Sequence, residues 1–331
     1  MTQQHSTRRR ILVGGLSAMT TLLLPAVARA QATGYPNKPI RLIVPFAAGS
    51  ATDTIGRIFG QKITEYLGQP VIIDNRPGAN GTIAALAVAK APADGYTLLL
   101  GTNTTNSAIR SMMKNVPFDP EKDFAPISFL GVLPQIVCVS ASSPHRTLAE
   151  LFAYAKANPE KLSYAWPNTV SKFATEMMAA MAGIKLFGVP YKSSPQALTD
   201  LLSGQVEMYI SDPVVATPHI RSGKVRALAM TSSFRSALHP TVPTVAEAGN
   251  LPGYDILGIF ATFAPTGTPR DIILKLNETI RRASADPDVK SKFEAMSLET
   301  QIGSPEQTAD RFKVETERWT KYAGVAGIVP E

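Results

Sequence analysis

The chain has 331 residues, enough for two domains at about 150 residues each. Hydrophobic residues make up 44% of it and charged residues 18%, a composition that excludes intrinsic disorder. The net charge of +7 falls to +3 once residues 1–30 are set aside, because they carry four arginines and no acid. This mildly basic remainder argues against nucleic-acid binding. The single cysteine, Cys138, excludes an internal disulfide and a multi-cysteine metal site.

Residues 1–30 have the features of a secretory signal peptide. The basic run Arg8-Arg9-Arg10 precedes an apolar stretch, and Ala28-Arg29-Ala30 is a small-residue cleavage site. The alternative is a membrane anchor, but glycine, serine, threonine and proline leave fewer than about 20 clean apolar residues. We therefore expect cleavage after Ala30, a mature chain that begins at Gln31, and twin-arginine-like export to the periplasm.

Strands alternate with helices along the rest of the chain, a pattern typical of α/β domains with parallel sheets. The first α/β unit has predicted strands at 40–44, 71–73 and 97–100 and predicted helices at 52–67 and 82–90. The second unit has predicted strands at 136–139, 162–165, 187–189, 206–210 and 225–230 and predicted helices at 147–157, 171–181, 194–202 and 244–249. A β-rich run at 256–263 and helices at 269–283, 286–296 and 305–322 close the chain.

The closing helices have no sheet of their own, so we expect them to return to the first unit. That return requires two crossings between the units, near 130–135 and near 256–263. We expect these two crossings to form a hinge between the two units.

The sequence offers no recognisable catalytic machinery. The mature chain has no nucleophile elbow, phosphate loop, dinucleotide fingerprint or zinc-protease motif. Its three histidines, His145, His219 and His239, are scattered along the chain. We therefore predict no catalytic residue, no metal ligand and no cofactor.

The loop between the first strand and the first helix is the most informative local feature. Ala48, Gly49 and Ser50 let a ligand approach the backbone closely, and the helix start that follows favours a carboxylate or phosphate. An ordinary capped turn is the alternative. Asp53 could cap the helix, hold the loop or bind an ammonium group.

Three further polar loops follow predicted strands, so that each unit contributes two such loops. Ligands of open α/β sheets bind beyond the carboxyl ends of the strands, so this placement predicts a cleft between the units. Capping and turn chemistry is the alternative for each loop. Trp166 could stack on a ligand or cover the core. The residues of these loops are Thr102 and Asn103, then Trp166, Asn168, Thr169 and Ser171, and finally Asp212.

These segments resemble the Bug solute receptors, the extracytoplasmic binding proteins of tripartite tricarboxylate transporters. The resemblance covers nearly all of the mature chain. It is carried by Tyr35-Pro36-Asn37-Lys38-Pro39-Ile40, the loop 44–53, Asn75-Arg76-Pro77-Gly78-Ala79-Asn80-Gly81, Ala91-Pro92-Ala93-Asp94-Gly95-Tyr96, Val189-Pro190-Tyr191-Lys192, Leu201-Leu202-Ser203-Gly204-Gln205-Val206 and Val242-Pro243-Thr244-Val245-Ala246-Glu247-Ala248-Gly249.

The resemblance implies an α/β, two-lobed periplasmic binding protein fold of the Venus flytrap type 2, which closes on a small organic anion. Residues 31–133 and 257–331 would form lobe 1, and residues 134–256 would form lobe 2. The expected partners are a small carboxylate and the membrane subunits of a tripartite transporter, and a monomer is expected. The predicted ligand-binding residues are Phe46, Ala48, Gly49, Ser50, Asp53, Thr102, Asn103, Trp166, Asn168, Thr169, Ser171, Tyr191 and Asp212.

Several ligands and roles stay open at this stage. Dicarboxylates, tricarboxylates, acidic amino acids and aromatic carboxylates all fit the loops. Trp166 beside a small-residue loop suggests an unusual or planar carboxylate as a further hypothesis. A binding protein that serves a sensor kinase is one alternative function, and an exported α/β hydrolase is another.

Overall fold

The computed structural model describes residues Gly34–Pro330, in which the strands form two separate sheets. The predicted signal peptide and its cleavage site lie outside the described residues. The strands of the first sheet are β1 (Ile40–Val44), β2 (Val71–Asn75), β3 (Thr97–Thr102), β4 (Phe124–Pro134), β10 (Leu257–Pro265) and β11 (Glu299–Thr300). The strands of the second sheet are β5 (Ile136–Ser140), β6 (Ser163–Trp166), β7 (Phe187–Pro190), β8 (Met208–Ser211) and β9 (Val225–Met230).

The helices cover both sheets, and most of them begin within two residues of the positions that periodicity predicts. Three helices, α3, α4 and α8, have no counterpart among the predicted ones. The helices are α1 (Ala51–Leu67), α2 (Thr82–Ala89), α3 (Asn103–Asn106), α4 (Ile109–Met112), α5 (Leu148–Ala157), α6 (Thr169–Ala182), α7 (Ser194–Ser203), α8 (Pro213–Arg221), α9 (Val245–Ala248), α10 (Arg270–Ala285), α11 (Pro287–Glu294) and α12 (Pro305–Ala326).

The first sheet has the strand order β11-β4-β10-β3-β1-β2. Its β3-β1-β2 half is parallel, as the alternation of strands and helices predicts, whereas β10 runs antiparallel to both β3 and β4. Side chains of β1 alternate between two buried faces. Leu42 and Val44 pack with Ile55 of α1, and Ile43 packs with Val88 of α2. Burial on both faces explains why β1 is almost wholly apolar.

The second sheet has the order β7-β6-β8-β5-β9, with β6 parallel to β7 and β8 and with β5 antiparallel to β8 and β9. Val137 of β5 packs with Phe173 of α6 on one face, and Cys138 packs with Leu198 of α7 on the other. Cys138 is a fully buried thiol and packs as a small hydrophobic side chain.

The chain passes between the two sheets at two places, and one threonine joins them. The first crossing is Gln135, between β4 and β5, and the second runs from Thr231 to Ile256. The Thr231 hydroxyl accepts a hydrogen bond from the Gln135 N–H (2.8 Å) and donates one to the Ile256 carbonyl (2.7 Å). The Thr231 N–H donates to the Gln135 carbonyl (2.9 Å). The two crossings are therefore held side by side.

The last helix packs on elements of both sheets. Phe312, in its first half, contacts Phe129 and Phe263 of the first sheet at ring-centroid distances of 6.5 and 5.0 Å. Trp319, in its second half, contacts Phe173 of α6 at 4.9 Å and is 1% exposed. The closing helices therefore return to the first sheet as expected, and α12 continues onto the second. No helix among residues 34–330 is long and apolar enough to cross a membrane.

Candidate functional site

An open cavity lies between the two sheets, with walls from both. The first sheet contributes the loop after β1, the end of β3 with the start of α3, and parts of β4 and β10. The second contributes loops after β6, β7 and β8. The lining residues are Phe46, Ala47, Ser50, Ala51, Thr52, Thr102, Asn103, Thr104, Leu133, Gln135, Pro167, Asn168, Val170, Lys192, Ser193, Ser194, Asp212, Gly258 and Phe260.

Four helices of nine residues or more begin at this cavity. The N-cap residues of α1, α6, α7 and α8 all line it, and each accepts a hydrogen bond from the backbone N–H three residues later. The remaining N–H groups of each first turn have no partner within their helix, and the helix dipole places partial positive charge there. The N-caps, each with the distance from the backbone nitrogen to the side-chain oxygen, are Ser50 (3.3 Å), Asn168 (3.0 Å), Ser193 (3.4 Å) and Asp212 (3.1 Å).

One cation and one carboxyl group complete the electrostatics of the cavity wall. Lys192 is exposed and is the basic side chain among the described lining residues. Asp212 is 5% exposed, and burial raises its pKa from 3.8 to about 6 although the Val215 N–H and the Ser194 hydroxyl hydrogen-bond to it. Within residues 34–330, no group of three histidine, cysteine or acidic side chains is placed to hold a metal ion.

Asp53 holds the first-sheet loop in shape from behind the cavity wall. Its carboxylate accepts hydrogen bonds from the Gly49 N–H (3.0 Å), Arg57 Nε (3.0 Å) and Asn75 Nδ2 (2.9 Å). Asn75 also donates to the Phe46 carbonyl (3.0 Å), so both ends of the loop are tied to one network. Burial alone would raise the pKa of Asp53, but these hydrogen bonds and the Arg57 charge hold it below its ordinary value. Of the three roles open to Asp53, this geometry matches holding the loop.

Asn103 joins the loop after β3 to strand β10. Its Nδ2 donates to the Leu257 carbonyl (2.8 Å), and its Oδ1 accepts from the Ile259 N–H (2.9 Å). Both polar atoms of this fully buried amide are therefore engaged by β10. The pairing places Gly258 and Phe260 on the cavity wall, so Asn103 shapes the wall as well as lining it.

The structure brings together six of the predicted ligand-binding residues on the cavity wall and leaves seven outside it. Those on the wall are Phe46, Ser50, Thr102, Asn103, Asn168 and Asp212. Those outside it are Ala48, Gly49, Asp53, Trp166, Thr169, Ser171 and Tyr191.

The seven residues outside the lining have identifiable positions of their own. Ala48 and Gly49 are exposed, and Gly49 turns their loop with a φ of +81°. Thr169 and Ser171 are fully buried in the first turn of α6, behind Asn168. Tyr191 packs on the core of the second sheet, where burial, followed by a hydrogen bond to Asp200, raises its pKa to about 12.

Trp166 lies in a separate groove between elements of the two sheets. Lys172 Nζ lies 4.6 Å from the centroid of the Trp166 ring and makes a cation–π contact with it. The other residues that line this groove are Ala79, Asn80, Met112, Met113 and Val329. The hypothesis that Trp166 stacks on a ligand therefore places that ligand outside the main cavity.

Several wall residues were not among the sequence-based predictions. Ser193 and Ser194 precede Pro195, and a serine followed by proline and an apolar run is a helix-start signal that could have identified them. Gln135, Leu133, Gly258 and Phe260 line the cavity only because β10 and β4 pair antiparallel at the crossings, which no local pattern predicts.

The chain matches known proteins over almost its whole length. Residues 55–324 match the family model described as the tripartite tricarboxylate transporter family receptor. A protein encoded in the tcbD–tcbE intergenic region of a Pseudomonas species is 41% identical over 318 residues, which are 95% of this chain and 93% of that protein. Protein BugT of Bordetella pertussis is 36% identical over 330 residues, which are 99% and 98% of the two chains.

Solved structures match equally broadly. R. palustris Rpa4515 with adipate has a TM-score of 0.87 and 35% identity, covering 90% of this chain and all of that one. The periplasmic binding protein BugD has a TM-score of 0.85 and 31% identity, covering 90% and 100%. MatC from Rhodopseudomonas palustris with bound malate has a TM-score of 0.81 and 33% identity, covering 87% and 100%. These matches confirm the resemblance and the two-lobed periplasmic binding protein fold. The chain belongs to the receptor family of tripartite tricarboxylate transporters.

Proposed function

We propose that this protein is a periplasmic receptor that captures a small organic carboxylate in the cavity between the sheets and delivers it to the membrane subunits of a tripartite transporter. The observation that carries the proposal is the convergence of four helix N-termini, from both sheets, on one cavity. Backbone N–H groups and helix dipoles there favour an anion, and Lys192 adds a full positive charge.

The solved relatives support a carboxylate in particular. Two structures with more than 30% identity carry adipate and malate, which are small dicarboxylates. The cavity draws its walls from both sheets, as a site that encloses a small ligand requires. The chain's own wall combines apolar surface from Phe46, Leu133 and Phe260 with the polar groups of the helix starts, which suits a short carbon chain that ends in a carboxylate.

The binding cycle that we propose uses the two crossings as a hinge. Residues 31–133 and 257–331 would move as lobe 1 and residues 134–256 as lobe 2, closing on the ligand from both sides. Export, cleavage after Ala30 and a monomeric mature protein complete the proposal. Intact-mass measurement on protein from the periplasmic fraction tests the cleavage site, and light scattering after size exclusion tests the monomer.

A thermal-shift and calorimetric screen tests the ligand class. The mature chain is unfolded and refolded to remove any co-purified ligand, then titrated with malate, adipate, citrate, glutamate and benzoate. A ligand at about 100 times its dissociation constant should add roughly 2.7 kcal/mol of stability, which raises Tm by several degrees. A specific carboxylate hit supports the proposal, and a flat response across the panel contradicts it.

Lys192→Gln checks that the hit binds in this cavity. We expect the affinity to fall about tenfold at low ionic strength and less at high salt, because an exposed cation is screened. Lys185→Gln is the matched control, since Lys185 is also exposed but lies outside the cavity wall. Equal affinities of the two variants would place the ligand elsewhere.

A further inference from the structure

Asp212 places an acidic side chain on the wall of a cavity whose other features favour anions. Among the described lining residues, Asp212 alone has a carboxyl group. The wall around it includes helix N-termini and Lys192. The Asp212 Oδ1 accepts the Val215 N–H at 3.1 Å and so caps α8, and its side chain is 95% buried. A helix cap needs only one acceptor oxygen, and Ser, Thr or Asn supplies it without a charge. Capping alone therefore does not explain a buried carboxyl group on this wall.

The surroundings of Asp212 leave its charge without a cationic partner of its own. No salt bridge to it occurs among the described residues, in contrast to Asp53, which pairs with Arg57. The titratable groups packed against it are Cys138 of β5 and Tyr209 of β8, and burial raises the pKa of both, so both stay neutral near pH 7. A ligand carboxylate placed beside Asp212 would meet a buried like charge, which disfavours binding. A ligand that presents a hydrogen-bond donor would instead stabilise that charge, in addition to the hydrogen bonds from the Val215 N–H and the Ser194 hydroxyl.

We propose that Asp212 accepts a hydrogen bond from a donor group that the ligand carries next to its carboxylate, so that the receptor selects hydroxy- or amino-substituted carboxylates over plain ones. The ligand carboxylate then faces the helix N-termini and Lys192, and its hydroxyl or ammonium group faces Asp212. This inference rests on the proposed function, because it assigns the chemistry of a ligand in the same cavity.

Two matched ligand series test the inference, each differing only in the group at carbon 2. They are succinate, malate and aspartate, and propionate, lactate and alanine. In the series that binds, calorimetry should show the hydroxy or amino member at least tenfold tighter than the unsubstituted member. Comparing the affinities of the hydroxy and amino members then shows whether Asp212 prefers a hydroxyl or an ammonium donor. Equal affinities, or tightest binding of the unsubstituted member, would overturn the inference while leaving the receptor function intact. No binding in either series or in the wider carboxylate panel would overturn both.

Asp212→Asn tests the role of the residue itself. The amide keeps the size and the capping oxygen but offers an N–H₂ group where the carboxylate offered an acceptor. We expect the substituted ligand to lose at least tenfold in affinity and the unsubstituted one to gain. Asp286→Asn is the matched control, because Asp286 also caps a helix before a proline and lies away from the cavity wall. An unchanged ligand preference in Asp212→Asn would overturn the inference.

A pH titration of the wild-type protein gives a second readout that needs no variant. Protonation of Asp212 removes its negative charge and turns one acceptor oxygen into a donor. Affinity for the lactate or alanine type of ligand should therefore fall as pH drops from 7.5 to 5, a range in which these ligands keep their charge. Burial raises the pKa of Tyr209 and Cys138, so both stay neutral throughout this range. Affinity that rises as the pH drops would mean that a protonated Asp212 donates to a second ligand carboxylate, which contradicts the inference.

Discussion

Single side chains at the cavity divide into those that face a ligand and those that hold the wall. Asp53 belongs to the second kind, since it is 3% exposed and ties Gly49, Arg57 and Asn75 together. We expect Asp53→Ala to lower the free energy of unfolding by about 2–3 kcal/mol, because the Gly49 N–H and the Asn75 amide lose a charged acceptor. Chemical denaturation measures this loss.

The same variant should weaken ligand binding, because the loop from Phe46 to Ser50 loses its support at both ends. Calorimetry with the ligand found for the wild type measures the effect, which we expect to be tenfold or more. Arg57→Gln is the control, since Arg57 is half-exposed and Asp53 keeps its other two partners. Full affinity in Asp53→Ala would show that the loop keeps its shape without the network.

Asp212 should give the folded protein a distinctive pH dependence. Its pKa is about 6 in the folded chain and about 3.8 when unfolded, so the folded state binds more protons between these values. The contribution of Asp212 to the free energy of unfolding therefore falls as pH rises from about 4 to 6, by up to about 3 kcal/mol. Urea unfolding of the wild type and of Asp212→Asn at pH 4, 5, 6 and 7 measures this contribution as the difference between the two pH profiles. Parallel pH profiles of the two proteins would contradict it.

At the scale of elements, Thr231 joins the two crossings between the sheets. It is fully buried, and its hydroxyl accepts a hydrogen bond from the Gln135 N–H and donates one to the Ile256 carbonyl. Thr231→Val keeps the shape but leaves both backbone groups buried and unpaired, so we expect a loss of about 1–3 kcal/mol in stability. Thr231→Ser keeps the hydroxyl and should cost about 1 kcal/mol or less. Similar losses in the two variants, measured by urea unfolding, would show that the methyl group matters and the hydrogen bonds do not.

The elements that the sequence predicted well are those whose apolar faces are regular. Helix α1 shows the 3.6-residue period from Ile55 to Ile63, and its predicted and observed starts differ by one residue. Helix α8 was not predicted, and only the loop at Asp212 before it was identified. Pro218 lies inside the helix and its first turn contains two valines, so the local sequence does not favour a helix. The tertiary contacts of α8 with the second sheet, through Ala216, override those local preferences.

The candidate site shows the same division between local and long-range information. Ser50, Asn168 and Asp212 could be proposed from sequence because each is a capping residue between a strand and a helix, and capping is a local signal. Gln135 and Phe260 could not, because they reach the wall only through the pairing of β10 with β3 and β4. Trp166 was proposed as a ligand contact because it follows the predicted strand at 162–165, but its side chain lies in the neighbouring groove, in contact with Lys172.

At the scale of the whole molecule, α12 connects the two sheets in addition to the two crossings. Phe312 fixes its first half to the first sheet, and Trp319 fixes its second half against Phe173. Any opening of the cavity must therefore bend or shift this helix, or separate Trp319 from its pocket. We expect a connection of this kind to limit how far the ligand-free protein opens, which would reduce the cost of closing on a ligand.

Trp319→Ala should loosen that limit. Removing a 1%-exposed tryptophan costs about 3–5 kcal/mol of stability, which urea unfolding measures. We also expect the ligand-free variant to have a larger radius of gyration than the ligand-free wild type in X-ray scattering, and ligand to bring the two to the same value. Val314→Ala, on the exposed side of the same helix, is the control and should change neither quantity appreciably. If the ligand-free radius of gyration stays the same in Trp319→Ala, then α12 follows the motion without limiting it, and the opening is set by the crossings at Gln135 and Thr231.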